Sequence, residues 1–149
     1  MENNNLGIYL SSLSKHDQLK DIYEAFKYNI GSKIKDASIF YDNVAHNPFN
    51  INCGLFNSTD LWSFKGTLIT TCLSTTLSAI KIVNNIKIYY YYGLEKKISP
   101  LSLIYLLKNS DIDIVAKTDI DALDLYRKTR INPKFISSDL KDLIMKVIV

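Results

Sequence analysis

The sequence predicts an α/β fold: a single domain over residues 1–149, built as a three-layer sandwich with a mostly parallel sheet of about six strands. Two observations support this prediction. Short apolar runs alternate along the chain with segments in which apolar residues recur at helical spacing. The run IKIYYYY at 86–92 is apolar or aromatic almost throughout, as in a strand that is covered on both faces. Strands and helices that alternate in this way form a parallel sheet with helices on both faces.

The individual elements follow from the same patterns. Strands are expected where apolar runs are bounded by polar residues, at 6–12, 36–42, 66–72, 86–92, 111–117 and 133–138. Helices are expected at 14–31, 73–85, 119–130 and 138–149, with a further helix that begins at Pro100. The N-cap signals are a Ser14–Asp17 capping box, Ser99 ahead of Pro100, and a Thr118–Asp121 capping box. In the helix at 119–130, one stripe is formed by Ile120, Leu123 and Tyr126 or Arg127.

An asparagine-rich loop is expected at 43–60, and loops of this length are often functional. One helical turn should follow it, and the candidates for its N-cap are Ser58, Thr59 and Asp60. This segment comes just before the strand at 66–72, so it lies at the amino end of that strand, away from the edge where ligands bind. We therefore expect Trp62, the single tryptophan, and Phe64 to anchor the loop on the core.

Composition argues against several classes of protein. With 47% hydrophobic and 22% charged residues, the chain resembles an ordinary globular protein. The net charge of +3 is small and the lysines are scattered, so we expect no nucleic-acid partner. No basic region followed by an apolar stretch opens the chain, which argues against a signal peptide. The uncharged run at 66–80 is short and contains seven serines and threonines, so we expect no membrane span.

No metal or cofactor motif is present in the sequence. Cys53 and Cys72 form no CxxC pair, and His16 and His46 do not complete a zinc pattern, so free thiols and no metal are expected. Neither GxGxxG after the first strand nor GxxxxGK[ST] occurs, so the dinucleotide and P-loop motifs are missing. We therefore predict no cofactor.

Candidate site residues come from the position of the strands. In open α/β sheets, ligands bind outside the carboxyl ends of the strands, near a switch in strand order. The polar residues expected there are Ser11, Ser12, Asp42, Asn43, Thr70, Thr71, Glu95, Lys117 and Thr118. Each also has a structural interpretation: the serines and Asp42 could bond turn amides, Glu95 and Lys117 could be solvated, and Thr118 could be a helix cap. A carboxylate pair drawn from Asp42, Asp60 and Glu95 could carry out acid–base chemistry.

From 39 to 139 the chain resembles glycosyltransferase-like proteins of tailed bacteriophages, especially T4-like and cyanobacterial phages. The resemblance begins with a strand that ends in Asp42 and with an NPF turn at 47–49. Its most specific part is a string of residues: Cys53, Gly54, Phe56, Asn57, Thr59, Asp60, Trp62, Phe64, Gly66, Leu68, Ile69 and Thr70. It continues with Gly93-Leu94-Glu95, where the family has a DLE-like turn, and with Lys117-Thr118-Asp119. Gly93 therefore replaces an acid of the family pattern.

The resemblance implies a single Rossmann-like half of a GT-B-type glycosyltransferase. The implied ligand is a nucleotide or nucleotide-activated sugar, and the implied location is the host cytoplasm of an infected bacterium. From the strand-end candidates, we predict Asp42 and Glu95 as catalytic residues of such a site and Ser11, Ser12, Asn43, Lys117 and Thr118 as substrate-binding residues. A GT-B enzyme binds its substrates between two domains, so a homo-oligomer or a protein partner is expected to supply the second wall. The alternative is a non-catalytic phage protein that uses the domain for nucleotide binding or protein interaction.

Overall fold

The framework of the described structure is a sheet of seven strands. The structure, a computed structural model, describes residues 5–13, 20, 24, 36–44, 54–82, 85–95 and 97–147. The strands are β1 (Asn5–Leu13), β2 (Asp36–Val44), β3 (Gly54–Asn57), β4 (Gly66–Thr70), β5 (Ile86–Tyr92), β6 (Asp113–Ala116) and β7 (Phe135–Ile136). The helices are a 3-10 helix (Ser58–Ser63), α1 (Leu73–Ala79), α2 (Pro100–Lys108), α3 (Asp119–Thr129) and α4 (Leu140–Val147). All neighbouring strands are parallel, in the order β3-β2-β1-β4-β5-β6-β7.

The two faces of the sheet are covered by different helices. On one face, which we call the α4 face, β1 packs against α4 through a cluster that includes Leu6, Ile8, Leu10, Leu140, Leu143 and Ile144. On the opposite face, side chains from β1, β4, β5 and β6 pack against the 3-10 helix and α1–α3. This arrangement confirms the predicted α/β fold as a Rossmann-like three-layer sandwich. None of the described helices is both long and apolar enough to cross a membrane.

The tyrosine run of β5 belongs to the core, as predicted. Tyr90, Tyr91 and Tyr92 are all buried, with Tyr91 on the α4 face and the other two on the opposite face. The Tyr91 hydroxyl donates to the carbonyl of Ser137 at 2.7 Å, and the Tyr92 hydroxyl donates to Asp124. Alternate side chains of β5 thus fill both layers of the core, which explains the unbroken aromatic sequence.

Strand β3 is the element that the sequence did not predict. It lies within the expected loop at 43–60 and is four residues long, and among the described strands it pairs with β2 alone. Its Leu55 and Phe56 side chains are exposed, so it shows no alternation of buried and solvated residues. The described residues consequently form a sheet of seven strands where about six were expected.

The predicted helix starts at Ser99 and Thr118 are confirmed. Ser99 Oγ accepts from the amide of Ser102, and Thr118 Oγ1 accepts from the amide of Asp121 at 3.2 Å. The helix expected at 14–31, with its Ser14–Asp17 cap, lies outside the described residues except for positions 20 and 24, which are helical. Cys53 and the two histidines also lie outside them.

The predicted stripe of α3 exists, but it faces solvent. Ile120, Leu123 and Tyr126 are exposed, and the core contact of α3 is made by Leu125. Helix α3 therefore carries apolar side chains on two sides.

Asp113, at the start of β6, joins three strands through two lysines. Its carboxylate lies 2.8 Å from Lys87 Nζ of β5 and 3.0 Å from Lys134 Nζ just before β7. Burial raises the pKa of Asp113, but the hydrogen bonds from the two lysines outweigh burial, and the pKa is lowered overall. A carboxyl whose pKa is lower in the folded chain stabilises it above the unfolded pKa, and this contribution is lost as the pH falls through the folded pKa.

We predict that Asp113→Asn lowers the free energy of unfolding near neutral pH, because the ion pairs are lost. The deficit should shrink as the pH falls below about 4, where the carboxyl of the parent chain also becomes protonated. Urea unfolding of both proteins at a series of pH values measures this difference. The matched control is Asp111→Asn, which removes an exposed carboxyl two residues away. A deficit that stays constant across the pH series would show that the charge of Asp113 is not responsible.

Candidate functional site

The candidate site lies at the carboxyl edge of the sheet, around the end of β1. From β1 the chain proceeds through β2 and β3 in one direction, and from β4 it proceeds through β5, β6 and β7 in the other. The strand order therefore switches between β1 and β4. In open α/β sheets a crevice forms outside the carboxyl ends of the strands at such a switch, and ligands bind there.

The predicted site residues fall into two groups on either side of this switch. On the β1–β2 side, Ser12 pairs in register with Asn43, and Ser11 and Asp42 are exposed beside them. On the β5–β6 side lie Glu95, Lys117 and Thr118. Three strand spacings separate β2 from β5, or about 14 Å. This spacing separates the two strand backbones; the carboxylates themselves have different partners, the Tyr9 hydroxyl for Asp42 and the amide of Leu73 for Glu95.

Glu95 is bound to the start of α1. Its Oε2 accepts a hydrogen bond from the amide of Leu73, the first residue of that helix, at 3.0 Å. The preceding amide, of Cys72, donates to Thr75 Oγ1 at 3.3 Å. Helix N-terminal amides are common anion-binding groups, and here they are engaged by the chain itself. Glu95 is therefore a helix-capping carboxylate in this structure.

The threonines at the end of β4 are structural. Thr70, Thr71, Thr75 and Thr76 are all buried. Thr71 Oγ1 donates to the carbonyl of Tyr9 and so links β4 to β1, while Thr76 Oγ1 lies 2.7 Å from Thr70 Oγ1. These hydroxyls are satisfied inside the protein and hold the first turn of α1 against the sheet. Thr70 and Thr71 are consequently not available as ligand groups.

A cavity of about 240 Å³, which we call the Asp42 cavity, opens between the 3-10 helix and α1. It is lined by Tyr9, Asp42, Ser58, Thr59, Leu61, Trp62, Ser78, Lys81 and Ile82. The Tyr9 hydroxyl donates to Asp42 Oδ1 at 2.7 Å. Burial, followed by the hydrogen bond to Asp42, raises the pKa of Tyr9 to about 12, while hydrogen bonds with Ser58 and Ser78 act in the opposite direction. The Tyr9 hydroxyl therefore stays protonated near neutral pH and holds the Asp42 carboxylate in place.

The segment from Asn57 to Trp62 forms one wall of this cavity. The N-cap of the 3-10 helix is Asn57, whose Oδ1 accepts from the amide of Thr59 at 3.1 Å, so the prediction of a cap at 58–60 was wrong. In a 3-10 helix, residues three apart lie on the same side. Leu61 and Phe64 accordingly both face inward: Leu61 is buried, and the Phe64 ring packs edge-on against Phe40 at 5.3 Å.

The sequence suggested that Trp62 anchors the loop on the core, and this prediction is wrong. Its side chain is 59% exposed, at the wall of the Asp42 cavity. The same three-residue spacing that turns Leu61 inward turns its neighbour outward. The sequence contains a signal for this orientation. If LWSF at 61–64 forms a 3-10 turn, Leu61 and Phe64 lie on one side and Trp62 lies on another.

A larger cavity of about 560 Å³ lies at the other end of the sheet. Its walls include Phe40, Phe56 and Phe64, and it also contacts Asn5 and Lys65, which stand at the amino ends of β1 and β4. Ligand sites of open α/β sheets lie at the carboxyl ends, so this position does not favour it as the main site. Among the residues that the structure describes, no group of three or more His, Cys, Asp or Glu side chains could hold a metal ion.

We predict that Glu95→Ala lowers the free energy of unfolding by about 1 kcal/mol, as is typical for loss of a helix N-cap. Glu95→Gln keeps a side-chain oxygen that can accept from Leu73 and should retain part of that stability. Urea unfolding followed by circular dichroism measures both effects. Asp111→Ala, which removes an exposed carboxyl outside any helix, is the control. Unchanged stability in Glu95→Ala would show that the carboxylate does not support α1.

The comparisons with known proteins identify no family. No protein-family model, no curated protein and no solved structure matches the chain. What the site can bind is therefore inferred from two features of its own. One is the switch in strand order, and the other is the polar cavity in which the Tyr9 hydroxyl holds the Asp42 carboxylate.

Proposed function

We propose that the protein is glycosyltransferase-like and binds a nucleotide-activated sugar, with the sugar ring in the Asp42 cavity. The observation that carries this proposal is the composition of the cavity wall. A carboxylate, several hydroxyls and a largely exposed indole converge on one small space. Carboxylates and hydroxyls bond the hydroxyl groups of a sugar, and an indole offers an apolar surface for the C–H face of its ring.

The size of the cavity favours a single ring. At about 240 Å³ it is smaller than the roughly 300–1,000 Å³ typical of pockets for drug-sized ligands. The nucleotide of such a ligand would then lie outside the cavity, along the carboxyl edge beside Ser11 and Asn43.

Lysines supply the charge that a phosphate needs. Lys81 lines the Asp42 cavity, and Lys117 lies at the carboxyl end of β6. The amides at the start of α1 are engaged by Glu95 and Thr75, so a phosphate is better met by a lysine than by this helix. Lys81 is the nearer candidate because it shares the cavity with Asp42.

Asp42 is the proposed catalytic group. Its Oδ1 accepts from Tyr9, which leaves Oδ2 to accept from a sugar hydroxyl or to take a proton from an acceptor. Transfer also needs a second wall that excludes water and holds the acceptor. In the described part of the chain the cavity is open, which favours a second candidate function: a module that binds the same ligand without transferring the sugar.

We predict that one class among UDP-, GDP-, ADP- and CMP-sugars raises the melting temperature of the protein. A ligand at a hundred times its dissociation constant adds about 2.7 kcal/mol of stability. Asp42→Asn and Trp62→Ala should each reduce the shift strongly, because one removes the charge and the other the stacking surface. A thermal-shift assay measures the effect.

The control for these variants is Asp111→Asn, which should shift as the parent does. Asp42→Asn can still accept from Tyr9, so its fold should be preserved and its melting temperature without ligand shows whether it is. No shift with any of the four classes contradicts the proposed function. An equal shift in the parent and in both variants places the ligand elsewhere on the protein.

A further inference from the structure

Helices α2 and α3 expose a row of large apolar side chains. They lie side by side on one face of the sheet, and both also contribute to the core through Leu103, Leu106 and Leu125. Their outer sides carry a second apolar set, which we call the α2–α3 surface: Leu101, Tyr105, Ile120, Leu123 and Tyr126. Between 41% and 79% of each of these residues is exposed. Exposed apolar patches of several hundred Å² typically mark an interaction site.

The exposed area fits a modest protein interface. At about 200 Å² for each fully exposed large side chain, the α2–α3 surface presents roughly 600 Å². Two such surfaces packed together would bury about 1,200 Å², which is the lower end of the range for specific interfaces. The apolar part of the surface is thus large enough for a second copy of the same chain.

The charges on α3 are arranged for antiparallel pairing with another copy of itself. Asp119 stands at the amino end of the exposed side and Arg127 near the carboxyl end, and both are exposed. Leu123 lies four residues from each of them, and residues at this spacing share one side of a helix. A two-fold axis at Leu123 would place Asp119 of each copy opposite Arg127 of the other. An isologous interface requires this kind of self-complementarity.

We infer that the α2–α3 surface is the docking site for a second copy of this chain, with the two α3 helices antiparallel about a two-fold axis at Leu123. The apolar side chains supply the buried area, and the Asp119–Arg127 pairs at each end fix the orientation. The inference goes beyond ligand binding and does not rest on it. Self-association is measured without any sugar, so its failure is distinguishable from failure of the proposed function.

The first test is sedimentation velocity of the full chain over a wide concentration range. A reversible monomer–dimer equilibrium is expected. Leu123→Lys should weaken it by about tenfold or more, because a charge would be buried at the centre of the interface. Met145→Lys places the same charge on an exposed apolar residue of α4, on the opposite face, and should leave the dimer unchanged. A monomer at every concentration overturns the inference, and so does a dimer that Leu123→Lys leaves intact.

The second test reverses the charges. Asp119→Arg should weaken the dimer, since each end of the interface would then hold two positive charges. Asp119→Arg combined with Arg127→Asp restores opposite charges at both ends and should recover the parent association. A double variant that associates no better than Asp119→Arg alone overturns the antiparallel arrangement. The Leu123 and Met145 variants remain informative if either charge variant folds poorly.

Discussion

Burial of β1 on both faces is the constraint on which the rest of the structure depends. Leu6, Ile8 and Leu10 pack on the α4 face, and Tyr9 is buried on the other. A strand enclosed in this way can present polar side chains to a ligand only at its ends. Tyr9 is the exception, since its ring fills the core while its hydroxyl reaches Asp42. The same side chain therefore supports the sheet and sets the floor of the cavity.

Several polar groups at the carboxyl edge are used by the fold itself. Glu95 binds the start of α1, Thr71 joins β4 to β1, and Thr118 caps α3. Each satisfies a backbone group, at the start of a helix for Glu95 and Thr118 and within β1 for Thr71. A buried backbone group without a partner would be destabilising. The Asp42 cavity differs because its polar side chains come from separate segments and converge on an open space.

The sequence predicted what is encoded locally. Alternating patterns indicated the parallel sheet, and the caps at Ser99 and Thr118 were recognisable from their own residues and the next turn. Strand β3 was missed because its pairing with β2 is non-local and its side chains are exposed. The site was only partly predictable: Asp42 follows from its place at a strand end. Its cavity does not, because Ser78 and Trp62 reach it from other elements.

The α4 face joins residues that are far apart in the sequence. Leu6, Ile8 and Leu10 of β1 share a cluster with Leu140 and its neighbours in α4. Contacts of such long sequence separation slow folding, because closing the long loop between them costs entropy before the contacts stabilise the chain. At synthesis rates of about 5–20 residues per second, α4 follows β1 out of the ribosome by on the order of ten seconds. Throughout that interval α4 cannot cover the central strand, so a nascent chain depends on other contacts to keep β1 from aggregating.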